Sequence, residues 1–430
     1  MVSLAGTQLD YCVYQTFNPS LSSGEIFDIV RQVLKSTHTF FFRVIAIIGD
    51  GAQCNRSYQK RHFNCGDIND LHMKHPLSKE PIYYISDPSH MIKKIVSSLS
   101  STNRKIYITT VDKVIRRLSL ASMFSLWLSF NDSSGLNRFP SFKTIDFIKN
   151  SFQSMRVGPC IKVLGPKMIE IIDMALVYQQ NYIEFNNDEN NSGLCNPYEF
   201  YKNADDYLGW REVCVQFSQL FSILNSTENR LNTTNYTHNF DYLKSFHAWF
   251  KNWKEVAIIR QKTILPVIHS AYQSMCGFFT IEASEDCLSM TQSIIALTYH
   301  YTKKNNTIGK HFFLLPRRIS QDLVENAFSR IRLATGHARL DHISTYNAIV
   351  EVNMIKEVKS HVRAAKKRNA GGCPEITSHD DSVEDNCIEY AKKFREESAV
   401  FKTSIYKKNK PYSWVLINGM ANMSYHKKNV

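Results

Sequence analysis

Two acidic side chains stand where a carboxylate could do more than solvate a surface. Glu325 lies in the stretch Ser320-Gln321-Asp322-Leu323-Val324-Glu325-Asn326-Ala327-Phe328-Ser329-Arg330-Ile331-Arg332. At 3.6 residues per turn, Leu323, Ala327 and Ile331 share one face, with Val324 and Phe328 beside them. Gln321, Asp322, Glu325, Ser329 and Arg332 share the other. Ser320 is placed as an N-cap, and Asp322 in the first turn suits the helix dipole. A helix with its back in a core would therefore present Glu325 on a polar face, although an ordinary solvated face reads the same way. Asp50 follows the apolar run from Phe41 to Ile48 and precedes a glycine. Ligand sites of open α/β sheets lie at the carboxyl ends of strands, which favours a binding role. A turn aspartate opening a helix is the plainer alternative. Asp87 precedes Pro88 as a natural N-cap. His90 could orient a carboxylate or contact a phosphate, or be a satisfied core histidine.

Three blocks carry a resemblance. Gln-Asp-x-x-Glu-Asn-x-Phe-x-x-Ile-Arg at 321–332 resembles the third catalytic block of the P element and THAP-type transposases. Val44-Ile45-Ala46-Ile47-Ile48-Gly49-Asp50-Gly51-Ala52-Gln53-Cys54-Asn55-Arg56 resembles the strand that delivers their second catalytic aspartate. Tyr83-Tyr84-Ile85-Ser86-Asp87-Pro88-Ser89-His90-Met91-Ile92-Lys93-Lys94 is similar to their Asp-Pro-x-His-Leu-Ile-Lys signature, where the related hAT transposases place Cys-x-x-His. The likeness covers most of residues 1–355. It implies an α/β RNase H-like fold, a mixed sheet flanked by helices, interrupted by a large all-α insertion. It also implies a DDE-type site for Mg2+ or Mn2+ in which Asp50 and Glu325 are catalytic metal ligands, supported by Asp87, His90 and Asp322. The implied reaction is metal-dependent DNA strand cleavage and transfer on transposon ends and target DNA. Lys93, Lys94, Arg330 and Arg332 are candidates for phosphate contacts, from charge and position alone.

The family's first catalytic aspartate lies several dozen residues upstream of the second, which runs off the start of this chain. Asp10, within an early strand, and Asp28, on a connecting helix, do not replace it. The zinc-coordinating THAP domain is likewise absent. The expectation is thus an N-terminally truncated remnant or fragment that binds metal weakly and does little chemistry, because the missing carboxylate normally bridges both ions. The alternative is a catalytically dead DNA-binding or protein-interaction module. In the P element relative the insertion binds GTP through Phe-Asp-x-x-Asn-Ser. Here Phe221-Ser222-Ile223-Leu224-Asn225-Ser226 has a hydroxyl in place of the carboxylate. A serine cannot accept two hydrogen bonds from guanine, so GTP is in doubt even with Phe221 and Asn225 as its candidate contacts. The helix core is the simpler reading of Phe221. No P-loop occurs.

The elements that must position these residues follow from periodicity. Residues 1–17 read as two strands, a helix should run from about Ser23 with Ser22 or Ser23 as cap, and strands should span Phe41–Ile48 and Pro81–Ser86. A helix follows from Pro88 through Leu99. Helices are expected at Leu118–Phe130, Phe142–Gln153, Pro166–Tyr178, Tyr207–Leu224, Phe240–Trp253 and Ile264–Phe279, with a polar, loop-like break at Asn181–Pro197. A last helix runs from Ser344 through Val358. The resulting division is 1–105 and 306–360 for the RNase H-like part, 106–305 for the insertion, and 361–430 for a basic tail.

Composition agrees with a globular chain: 43% hydrophobic and 12% aromatic residues. No apolar run reaches the roughly 20 residues of a membrane span. Ten cysteines without a C-x-x-C pair argue against a zinc finger and a disulfide framework. The net charge of +13 favours an anionic partner, nucleic acid before a membrane surface. Nuclear localisation is the corresponding expectation, with Lys366-Lys367-Arg368 as a weak import-like cluster, and self-association is left open.

Overall fold

The computed structural model describes residues 21–39, 44–63, 72–101, 103–130, 138–147, 157–191, 194–226, 228, 230–233, 236–264, 277–303 and 313–320. The expected strands in 1–17, the Glu325 helix, the Ser344 helix and the tail lie outside the described residues. The chain divides into two compact units. Residues 44–320 make up the body of one, and residues 3–43 with 321–430 make up the other.

In the second unit, α1 (Ser23–Thr39) starts where the periodicity placed it. Ser22 and Glu25 form a reciprocal capping box. Glu25 N donates to Ser22 Oγ at 3.3 Å, and Ser22 N donates to Glu25 Oε2 at 2.7 Å. These hydrogen bonds hold the Glu25 carboxyl below its ordinary value.

The first unit opens with a small mixed sheet of β1 (Ala46–Gly49), β2 (His72–Lys74) and β3 (Pro81–Ser86), in the order β1-β3-β2. β3 is central, parallel to β1 and antiparallel to β2. Pro81 is tolerated because it is the first residue of its strand. Side chains alternate across the pleat, so β3 serves two cores. Tyr83 and Ile85 face the main core, where Tyr83 meets His300 of α10 (Ile281–Lys303). Tyr84 faces the other way, with its ring 5.4 Å from Phe63 and 6.3 Å from Tyr58 of α2 (Gln53–His62). α3 (Pro88–Leu99) begins at the residue expected, with Pro88 in its first turn. α10 packs against both β3 and α3.

The stretch expected to be wholly helical opens instead with a hairpin, β4 (Ile106–Thr109) and β5 (Ile115–Leu118). Strand alternation there is disguised, because Arg116 points inward and is 4% exposed. Its cost is offset by Asp112 at 2.6 Å and by donation to the Asp205 carbonyl at 2.7 Å. The hydrogen bond from Arg116, followed by that from Thr110, holds the Asp112 carboxyl far below the usual carboxylate range.

Helices then follow. α4 (Leu120–Ser129), α5 (Thr144–Phe147), α6 (Val157–Val163), α7 (Pro166–Asn187), α8 (Leu208–Asn225) and α9 (Thr237–Ile264) complete the body with α10. α7 extends past Tyr178 to Asn187, into the segment read as a polar break, and the described chain beyond it, as far as Pro197, is loop and short 3-10 turns. Its last carbonyls are capped by asparagines returning from the following loop: Asn196 Nδ2 donates to Tyr182 O at 3.0 Å, and Asn191 Nδ2 to Phe185 O at 3.3 Å. The helix expected over Ile264–Phe279 does not reach its end. Gly277 has a φ of +106° and bridges Ile106, and residues 265–276 lie outside the described residues. Of the helix expected over Phe142–Gln153, α5 is the described part. The helical core is aromatic, with Phe217, Phe246, Phe250, Phe278 and Phe279 all buried. Among the described residues no helix is long and apolar enough to cross a membrane.

His247 supplies a pH dependence to the packing of α9 on α10. Thr291 Oγ1 gives its proton to the Cys287 carbonyl at 3.0 Å, so His247 Nδ1, 2.8 Å away, must donate to that hydroxyl. Nε2 is then the bare lone pair, and it is buried with no partner. Burial, and then Lys251, push the His247 pKa down. The unfolded chain binds the proton more readily, so stability is complete above the free-imidazole pKa of about 6.5 and falls as pH drops below it. Urea midpoints measured from about pH 8 to about pH 5 should decline in acid. His247→Leu should flatten the part of that slope that sets in below about 6.5, and an unchanged slope would refute the assignment.

Candidate functional site

The site begins where β1 and β3 end side by side. Gly49 is in register with Ser86, and Asp87 N donates to Gly49 O at 2.9 Å. Asp50 and Asp87 therefore leave neighbouring parallel strands together, at the carboxyl edge where the sequence placed them.

Their surroundings differ. Asp50 Oδ1 accepts from Ala52 N at 3.1 Å and Asn55 Nδ2 at 2.6 Å. This ties the carboxylate to the start of α2, whose own N-cap, Ala52, has no side chain to offer. Oδ2 of Asp50 makes no hydrogen bond among the described residues. Oδ1 thus does the work of a turn aspartate opening a helix. Asp87 is buried completely. Its Oδ2 accepts from His90 N at 2.9 Å as the N-cap of α3 and lies 2.9 Å from His90 Nδ1. His90 Nδ1 lies against the Asp87 carboxylate, and the ring remains about a third exposed.

A third carboxylate was not anticipated. Asp286 on α10 is 3% exposed. It pairs with Lys94 Nζ, and Arg56 Nη1 lies 3.7 Å away. Both cations also donate to the carbonyl of Gly51, Lys94 at 2.9 Å. Burial pushes the Asp286 carboxyl up, and Lys94 and Arg56 pull it back. The signal was present in α10, where Ala283, Cys287, Met290, Ile294 and Leu297 form a buried stripe that includes Asp286. An acid within an apolar stripe requires a buried cation. Nothing local says which one.

The glycines flanking Asp50 have a steric reason. A Cβ on Gly49 would overlap Tyr84 Oη and lie 2.7 Å from its Cζ. A Cβ on Gly51 would overlap Lys94 Nζ and Asp286 Oδ2. The Tyr84 hydroxyl is buried without a hydrogen-bond partner, and burial followed by the charges of Asp50 and Asp286 pushes its pKa far up.

The other sequence candidates are dispersed. Lys93 is half-buried near Cys160 of α6, whose thiol burial pushes up to about 11 while Lys93 acts in the opposite sense. Lys94 is committed to Asp286 and Gly51. Phe221 is 4% exposed in the helical core, and Asn225 Oδ1 accepts from Arg317 Nη1 at 3.4 Å. Asp322, Glu325, Arg330 and Arg332 lie outside the described residues. Among the described residues, no group of three His, Cys, Asp or Glu is placed to hold a metal ion.

No protein family matches the chain, and no curated protein does. A solved structure does: the Drosophila P element transposase strand transfer complex, at a TM-score of 0.53 and 15% identity, over 75% of this chain. The fold is transposase-like. This chain spans 62% of the length of the chain it matches there. Within that fold, the described architecture is a helix-rich body built on a small mixed sheet, and Asp50 occupies the carboxyl end of a strand paired in parallel to the central one.

Proposed function

We propose that this chain is a transposase-like protein that acts on DNA, with an RNase H-like core in which Asp50 is the reactive-site carboxylate of the described part. The observation that carries the reading is Asp50 itself. It is steered by Asn55 and Ala52 N from one side, has an oxygen left over on the other, and sits on a fold similar to that of a transposase captured in a strand transfer complex. The net charge of +13 supports a DNA partner. On this reading residues 1–105 and 306–360 form the RNase H-like part and 106–305 the insertion, with α10 returning to the sheet. The protein works in the nucleus, and self-association is part of the same proposal.

Mg2+ or Mn2+ belongs to the implied chemistry, and the described residues alone do not fit a two-ion centre. Such a centre needs several carboxylates converging. Asp87 is taken by His90 and its helix, and Asp286 by Lys94 and Arg56. What the described side chains do is orient: His90 fixes Asp87, Asn55 fixes Asp50, and Lys94 holds the Gly51 carbonyl. Lys93 remains the described candidate for a phosphate contact. The buried Phe221 and the Arg317-bound Asn225 lend no support to a guanine site.

The commitment of two of the three carboxylates to internal partners favours a second reading, a transposase-derived DNA-binding module without catalysis. A plasmid-nicking assay in Mg2+ or Mn2+, run beside salt-dependent DNA binding, separates them. Nicking by the wild type that Asp50→Asn and Glu325→Gln both reduce to the metal-free background supports the transferase. Salt-sensitive binding without nicking supports the module. Neither binding nor nicking would end both.

A further inference from the structure

We propose that Asp286 is a positioning residue for Asp50, acting from α10 through Lys94 and Arg56 on the carbonyl of Gly51. The proposal deepens the reading that makes Asp50 the reactive-site carboxylate. The peptide that follows Asp50 is held by donors from two elements, Lys94 of α3 and Arg56 of α2. Both donors are gathered by one buried carboxylate, Asp286, from a third. Lys94 and Arg56 are 28% and 17% exposed, so without Asp286 each is a partly desolvated cation free to turn toward water. The Gly51 carbonyl would then lose its donors. Asp50 would keep only contacts from its own loop, Ala52 N and Asn55, which fix its carboxylate relative to α2 and not to the sheet.

Close packing makes this arrangement specific. Gly51 lacks the Cβ that would collide with the ion pair, so the loop and the pair touch directly. α10 is anchored independently, by packing on β3 and α3. It is also tied to α2 by an exposed Lys60–Glu285 pair at 2.9 Å. The orientation of Asp50 is therefore set by a helix very distant from it in sequence.

The test uses the full chain with Asp286→Leu and with Lys94→Met/Asp286→Leu. Hydrogen–deuterium exchange is read over peptides spanning residues 47–56, and urea midpoints are measured in parallel. Asp286→Leu should lower the midpoint and speed exchange in that loop by about tenfold, the scale of one lost hydrogen bond. The double variant removes the nearer of the two unpaired charges, leaving Arg56, and should restore most of the midpoint. Its loop should still exchange fast, because Gly51 O has lost the Lys94 donor and Arg56, its remaining donor, has lost the carboxylate that gathers it. A merely structural ion pair would restore both together, and that result overturns the proposal, as does unchanged loop exchange in the single variant. Where the wild type nicks DNA, the double variant should nick more slowly when both are compared at saturating DNA; recovery of the rate with the midpoint also overturns it. Where the wild type does not nick, the exchange measurement decides alone, so failure of the transposase reading and failure of this one are distinguishable.

Discussion

Phe250→Ala is expected to destabilise the 44–320 unit by about 3–5 kcal/mol, the largest loss from any single truncation considered. The ring is wholly buried and has aromatic neighbours from three directions. Phe246 and Phe279 stack on it at centroid distances of 6.0 and 5.8 Å, Phe278 lies 5.4 Å away, and Phe217 and Trp253 meet it edge-on. Removing it deletes the transfer energy of a large apolar group and leaves a cavity whose rigid lining cannot collapse. Because Phe250 belongs to α9 and Phe278 and Phe279 precede α10, the cavity also loosens the helix that carries Asp286. Urea denaturation should show the drop. Ile259→Ala, at a site 64% exposed on the same helix, should stay within about 0.5 kcal/mol. A loss below about 1 kcal/mol for Phe250→Ala would mean that the rings are not packed as described.

Gly49→Ala should cost at least about 1–3 kcal/mol and displace Asp50 as well. The new methyl would lie inside the van der Waals envelope of the Tyr84 hydroxyl and 2.7 Å from Cζ. The Tyr84 ring cannot retreat, since Tyr58 and Phe63 pack against it from α2 and the residue after that helix. The strain must pass into β1, which would part from β3 at the Gly49–Ser86 end where Asp50 emerges. Tyr84→Phe separates the contributions. Alone it should be neutral or stabilising, because the lost hydroxyl is buried and unpartnered. Combined with Gly49→Ala it should recover only part of the loss, since the Cζ contact remains. Full additivity of the two substitutions in a double-mutant cycle would show that they do not touch.

The elements that sequence reading located well are those whose signals are local. Asp87 before Pro88 is a cap and a first-turn proline, and α3 starts there. Pro81–Ser86 is an apolar run short enough for a strand and becomes β3. Ser22 and Glu25 cap α1 within a few residues of chain. The elements that were misread depend on partners from elsewhere. The β4–β5 hairpin hides its alternation because Arg116 faces inward toward the Asp205 carbonyl, and α7 continues past Tyr178 as far as Asn187, where Asn191 and Asn196 return to its last turns.

The same boundary runs through the site. The sequence by itself determined that Asp50 follows a buried strand, that Asp87 caps a helix with His90 one turn on, and that three blocks resemble a transposase, because strand runs, caps and motifs are written in neighbouring residues. Only the tertiary structure decided that Asp87 accepts from His90 at the start of its own helix, that Lys94 pairs with Asp286, and that the glycines around Asp50 make room for Tyr84 and an ion pair. Those outcomes depend on which desolvated charges and rings meet across the packed core, and a meeting between residues remote in sequence leaves no periodic trace in either partner.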